Sequence, residues 1–428
     1  GADTFGISVS ADATNLLVAG GKQNDSITAN FATGISSVAT TLRGDLGEDT
    51  IVLSLSSGGF AQTTNVLGGS GNDVLTVSHN GGLAGTAGFL FGDFNTFGGG
   101  TGADTINVNL GSDINTQGTA GFVVNLGAAG TVSGGTDALG GVLNLNISAT
   151  QSGGGVRFIG TDAGDDFNIT QSTAVGLDSG GALNGATFSA ESGADSITLL
   201  ANTGGSFSAI NIDGGFGADV ITAEINGQTL FSVATGGQIS VEGGAGNDTL
   251  VVNIGAGSAG GALSAAFFAG DDGDDVLTVN LAGVNTAGDG AQLGNTNSGT
   301  QFFAGSGADT IGFSLGSAAS AAADIQAGSG NDLITATVVG TGGTLQATTA
   351  LAGDGDDTIA ITYALSETAG DIVQSGGEGA VFNGGSGVDS ITLLGTVDSA
   401  GEFDLGEAQG GAGVDTITLG STMATTGL

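Results

Sequence analysis

An aspartate with a glycine two residues before it recurs about every 27 residues along the whole chain, in the frame Φ-x-[Gly/Ala]-[Gly/Asp]-x-Gly-x-Asp-x-Φ-x-Φ. One such copy cannot bury a hydrophobic face alone. Copies at this period therefore stack on their neighbours, as in a solenoid. The clearest run from Val66 to Val77 and from Val241 to Val252. After an opening Asp3, the frame aspartates are Asp25, Asp49, Asp73, Asp104, Asp166, Asp195, Asp219, Asp248, Asp275, Asp309, Asp332, Asp357, Asp389 and Asp415. A worn copy is placed at Asp137, inside the long gap between Asp104 and Asp166.

Residues after each Asp alternate between apolar and polar, as in Ile106, Val108 and Leu110 against Thr105, Asn107 and Asn109. Period two means a half-buried strand. Stacking the copies puts Ile27, Ile51, Leu75, Ile106, Leu250 and Leu277 in one inward column. A second column lies seven residues before the Asp, with Val18, Leu42, Val66, Phe97, Ile159, Phe188 and Ile212, and it fails only at Ala350 and Ala408. Two strands meeting at a Gly-rich corner predict an all-β fold, a right-handed parallel β-solenoid of the β-roll or β-helix kind. It would have about 16 coils of roughly 27 residues, forming one continuous domain over 1–428. The segments that close each coil carry the length variation, and coils of two or of three strands both fit them. The glycine two before the Asp is kept in every complete copy except at Gln23, as a backbone with positive φ or close to an ion requires.

The charge is -39, from 42 acids against three bases, and opposes compaction unless cations bind. It argues against nucleic acid and anionic membranes as partners. Cysteine is absent, which excludes disulfides, thiolate metal sites and a Cys nucleophile. No run of 18 apolar residues is long enough for a transmembrane helix, so membrane insertion is not expected. Lys22, Arg43, Arg157, His79 and Tyr363 do not recur at comparable places in the repeat, so no enzyme activity is expected.

Carboxylates about 5 Å apart in a column repel by roughly 3 kcal/mol per neighbour pair at an effective dielectric near 20. Asp carboxylates and the carbonyls of a Gly-rich turn offer only oxygen, which suits a hard divalent ion and favours Ca²⁺. Asp45, Asp271, Asp272, Asp274, Asp354 and Asp356 add carboxylates that either tighten such sites or remain solvated. The runs Gly68 to Asp73, Gly243 to Asp248, Gly384 to Asp389 and Gly410 to Asp415 resemble the RTX repeats, whose Gly-Gly-x-Gly-x-Asp turns hold Ca²⁺ in proteins exported by type I secretion. By that resemblance, Gly68, Ser70, Gly243 and Ala245 donate carbonyls and the frame aspartates bridge to ions shared between coils, with on the order of ten to fifteen Ca²⁺. The motif occurs once per coil, so one row of ions is expected. Around Asp166 the alternation is slipped by one, leaving Asp165 as a rival ligand.

These features lead to an expected bacterial cell-surface or extracellular location. The expected role is a structural subunit of a filament, sheath or surface layer, polymerising head to tail because the chain opens in mid-motif at Gly1, ends soon after its last strand, and has a capping element at neither end. Cell-surface polysaccharide is a second expected partner, and the alternative role is the repeat region of an RTX adhesin or ligand-binding rod.

Overall fold

A computed structural model describes residues 1–56, 61–80, 96–110, 123–125, 140–147, 157–171, 186–201, 210–225, 230–231, 239–255, 262–263, 266–281, 292–293, 300–316, 320–321, 323–339, 344–345, 348–364, 380–397 and 407–423. Every regular element among them is a strand. The chain falls into two units, one running to Gly217 and one beginning at Ala218.

In the first unit, a strand starts directly after each frame position. Thr4–Val9, Ser26–Phe31, Thr50–Ser56, Val74–Asn80, Thr105–Leu110, Val142–Ile147, Asp166–Gln171 and Ser196–Ala201 pair in that order, all parallel. This is the post-turn ladder. A pre-turn ladder pairs Leu17–Lys22, Thr41–Leu46, Asn65–Ser70, Thr96–Thr101, Val123–Asn125, Arg157–Ile159, Thr187–Ser189 and Asn211–Phe216 in the same way. The second unit repeats the plan, its post-turn ladder running from Val220–Ile225 to Thr416–Met423. Its pre-turn ladder runs from Ile239–Ala245 to Glu407–Gln409. Two parallel ladders, each gaining one strand per coil, make a parallel β-solenoid. Coil length is not fixed, since hydrogen-bonded neighbours lie from 22 to 37 residues apart.

Alternation produces the core directly. Thr50–Ser56 alternates exposed or half-buried with buried side chains, and Ile27, Ile51, Leu75, Ile106, Ile311, Ile359 and Ile391 are all fully enclosed. Burying one such side chain contributes about 1.5–3 kcal/mol. Aromatic residues continue the column on the pre-turn ladder: Phe158 stacks on Phe188 at 4.5 Å, and Phe268 on Phe302 at 5.1 Å. Phe302 also meets Phe313 edge-on at 5.2 Å, tying one ladder to the other. Phe158, and not Ile159, holds the column position, because Phe97, Val124, Phe158, Phe188 and Ile212 are successive register partners.

Some coils do carry a third strand. Ala13–Thr14, Ser37–Val38 and Ala61–Gln62 form a short sheet in the first unit. Leu230–Phe231, Ala262–Leu263, Gln292–Leu293, Ser320–Ala321 and Thr344–Leu345 form another in the second.

At Ala350 the aliphatic column thins. Its register partners are Ile325 and Phe382, and an apolar cavity beside it is lined by Phe313, Ile334, Ala336 and Ile361. Filling it with Ala350→Val is expected to stabilise the fold by about 1 kcal/mol, read as a higher Tm.

Candidate functional site

Among the described turns, all but the one before Asp165 contain two left-handed positions. Gly69 and Gly71 have φ of 121° and 128°, and Gly244 and Gly246 have 103° and 143°. Asp45, Glu191 and Asp271 hold the first position at φ of 73° to 78°, and Gln23 holds the second at 77°. The second glycine is also needed for close packing: a methyl group on Gly71 would collide with the Gly47 carbonyl of the preceding coil. Positive φ and the approach of a neighbouring coil together explain that glycine. Gly71→Ala is expected to cost on the order of 3 kcal/mol, seen as a lower denaturation midpoint.

The frame carboxylates do not point out into solvent. Asp25, Asp49, Asp73, Asp104, Asp195, Asp219, Asp248, Asp275, Asp309, Asp332, Asp357 and Asp389 are buried, and Asp415 is half-buried. Within each unit Oδ1 atoms join a chain of inter-coil bonds. Oδ1 of Asp49 accepts the Asp25 N–H at 2.6 Å, Oδ1 of Asp73 accepts the Asp49 N–H at 2.7 Å, and Oδ1 of Asp104 accepts the Asp73 N–H at 2.8 Å. The second unit continues likewise through Asp219, Asp248, Asp275, Asp309, Asp332, Asp357, Asp389 and Asp415.

The other oxygen is the chemically unusual one. Oδ2 of Asp25, Asp49, Asp73, Asp248, Asp275, Asp309, Asp332, Asp357 and Asp389 is buried with no donor. For Asp25, Asp49, Asp73, Asp248, Asp275 and Asp389 it lies over the α-carbon of the first turn glycine of its own coil, as with Gly68 for Asp73 and Gly243 for Asp248, and Ala304, Ala327 and Ala352 hold that position before Asp309, Asp332 and Asp357. A methyl group on Gly384 would sit 2.6 Å from both Asp389 Oδ2 and the Gly410 carbonyl oxygen of the next coil. A carboxylate oxygen without a donor and a carbonyl oxygen of the next coil thus border the same small space. Leaving a buried carboxylate oxygen unsatisfied is costly, so a cation or a proton is called for there.

Register corrects two frame positions. Asp165, not Asp166, is the frame residue: it is buried, accepts the Gly141 N–H on Oδ1 at 2.5 Å, and donates its own N–H to Asp195 Oδ1 at 2.5 Å. Asp166 is exposed, as the first residue of its strand. Thr161 adds a backbone N–H to Asp165 Oδ2 at 2.5 Å, so this oxygen has the donor that Oδ2 of Asp73 and Asp248 lacks. In the long gap, Val142 pairs with Thr105, which puts Gly141 at the frame position. Asp137 lies outside the described residues.

The extra turn residues form an outer ladder that runs in the opposite sense. Asn247 Oδ1 accepts the Asp274 N–H at 3.0 Å and Asp274 Oδ1 the Ala308 N–H at 2.7 Å. Asn331 and Asp356 repeat this towards Asp356 and Val388. Asp272 and Asp354 accept the hydroxyls of Ser306 and Ser386, and Asp45 pairs with Arg43 at 3.2 Å. Tyr363 is buried in the core, its hydroxyl pushed up to about 12 by burial. The side chain of His79 lies outside the described residues.

Burial shifts the file towards its protonated form. Desolvation raises Asp73 and Asp275 to about 7 and Asp332 and Asp357 to about 6, against the bond from the neighbouring backbone N–H, which lowers them. The next carboxylate in the file raises each further. Asp49, Asp248 and Asp309 move the same way, again chiefly through burial.

The donor set fits a hard cation in chemistry, since every converging atom is oxygen. Of the expected carbonyl donors, Gly68 and Gly243 lie at the Oδ2 positions of Asp73 and Asp248. Ser70 differs, because its carbonyl accepts the Gly47 N–H at 2.8 Å and serves the ladder. Ala245 lies in the pre-turn ladder opposite Asp272. Among the described residues, no three acidic, His or Cys side chains gather into one cluster. The carboxylates stand in single file, so an ion here would be shared between coils, through Oδ2 and the first-glycine carbonyl. Comparisons with family models, with curated proteins and with solved structures gave no match.

Proposed function

We propose that this chain is a structural building block of a calcium-dependent extracellular filament, sheath or surface layer. The observation that carries the reading is the file of buried Oδ2 atoms without donors, with a carbonyl of the next coil beside those of Asp25, Asp49, Asp73, Asp275 and Asp389. At neutral pH such a file opposes its own fold until a cation enters. Divalent ions in that position supply positive charge, and ion binding then becomes folding free energy. Calcium is millimolar outside cells, so the chain would fold where it is to work. A parallel ladder offers the same backbone donors and acceptors at each coil edge, so a second copy can extend it in register, giving head-to-tail growth. No chemical reaction enters this reading. It draws on the chain's three bases, with Arg43 committed to Asp45, and on the absence of a recurring nucleophile or base.

Electron microscopy of purified protein with millimolar calcium and with chelator tests it. Filaments or sheets that form in calcium and dissolve on chelation are the expected result. Monodisperse particles in both conditions would remove the assembly part of the reading.

A further inference from the structure

Six consecutive strands of the second unit's post-turn ladder carry an outer face free of charge, whereas the ladder's first strand, Val220–Ile225, bears Glu224. None of the strands Thr249–Ile254, Val276–Leu281, Thr310–Leu315, Leu333–Val339, Thr358–Ala364 and Ser390–Val397 contains an acidic or basic residue. Their outward side chains are Thr, Ser, Asn and small or branched apolar groups. Val276, Leu333, Val339 and Leu394 are 37–42% exposed, and Thr337 and Thr362 are exposed beside each other on paired strands. The pre-turn ladder of the same unit is different, with Glu242, Asp324 and Glu407 on its outer face and further acids along the turns. In a chain of net charge -39, charge has been kept away from one face.

We propose that this face is the lateral contact between copies of the chain, packed sheet against sheet. The inference rests on the structural reading above and names the contact that would join filaments side by side. Its argument is electrostatic. Two such molecules repel through their acidic turns and pre-turn ladders, whereas this face, like the acid-free post-turn strands of the first unit, can meet a copy without opposing carboxylates. The small side chains suit it, because stacked sheets need close approach, about 10 Å between backbones. Six strands at ~4.8 Å, each with about three outward residues, give on the order of 600 Å² per copy. A standard stable interface needs about 800 Å² per partner, so one face makes a weak contact that becomes firm only when repeated along an assembly. The acids at the rim make it depend on salt, and it strengthens as ionic strength rises.

Sedimentation velocity on the full chain in millimolar calcium, over a concentration series and at low and moderate salt, tests the contact. Thr337→Glu with Thr362→Glu puts like charges into it, and Gln326→Glu on the pre-turn ladder is the control. Wild type and the control should associate alike, more strongly in moderate salt. The double variant should need at least tenfold higher concentration, with an unchanged circular dichroism spectrum. If the double variant loses that spectrum, Thr337→Glu alone makes the same comparison. Association unchanged by the face variants would overturn the proposal. So would a wild type that stays single at all concentrations, and a neutral glycan bound through Thr337 and Thr362 would then be the face's occupant. Circular dichroism of the same samples with chelator keeps the two readings apart: an unchanged spectrum counts against the calcium reading, whereas the variants judge only the face.

Discussion

Stripped of divalent ions near pH 7.5, the chain is expected to lose its β-sheet circular dichroism signal, and acidifying the same metal-free sample to about pH 4.5 is expected to bring it back. The direction follows from the buried file. Asp73 and Asp275 titrate near 7 in the fold and Asp332 and Asp357 near 6, against an ordinary carboxylate value of 3.8. The folded state therefore binds more protons than the unfolded one between these limits, and stability falls as pH rises. Protonation supports the metal-free fold fully below about 3.8, and that support is lost as pH rises through 6 to 7. Loss of overall repulsion at low pH works in the same direction. In the proposed reading calcium discharges the same oxygens as protons do, so calcium-loaded protein should stay folded at pH 7.5. A metal-free chain that is equally folded at both pH values would contradict this.

Replacing file aspartates by asparagine should have opposite consequences with and without calcium. Asp73→Asn keeps an oxygen for the Asp49 N–H and turns an amide N–H towards the Gly99 carbonyl, so the orphaned oxygen disappears. Asp275→Asn does the same for the Asp248 N–H. In chelator the pair should raise Tm by several degrees. In calcium the pair should bind fewer ions and gain less from them. Alanine separates the two roles of the carboxylate: Asp73→Ala leaves the buried Asp49 N–H without its acceptor, at a cost of about 1–3 kcal/mol whether or not metal is present. Asparagine variants that destabilise in chelator as much as alanine would show that the charge in the file is harmless.

Much of this fold could be read from the chain because two periodicities coincide. Alternation marks the strands, and the Gly-x-Asp spacing marks where one strand gives way to the next. Near Asp165-Asp166 two adjacent acids offered two frames, and the motif alone chose the wrong one. Phe158 and Phe167, each one residue earlier than the Asp166 frame allows, carry the correct phase if both columns are read together. In the coil of Val142–Ile147 the turn signature is gone and only Leu143 and Leu145 keep the register, which is why Gly141 could not be recognised. The inward turn of the carboxylates was the least legible feature, because an acid in a Gly-rich turn is ordinarily solvated. Its trace is the residue five before each frame Asp, always Gly or Ala: a larger side chain would fill the space Oδ2 occupies.

Metal analysis of the folded protein, purified in calcium and passed into calcium-free buffer at neutral pH immediately before measurement, tests the central claim most directly. On the order of ten to fifteen calcium ions per folded chain are expected, falling together with the β-sheet signal as chelator is added. A folded chain at neutral pH that holds no divalent metal would contradict the account.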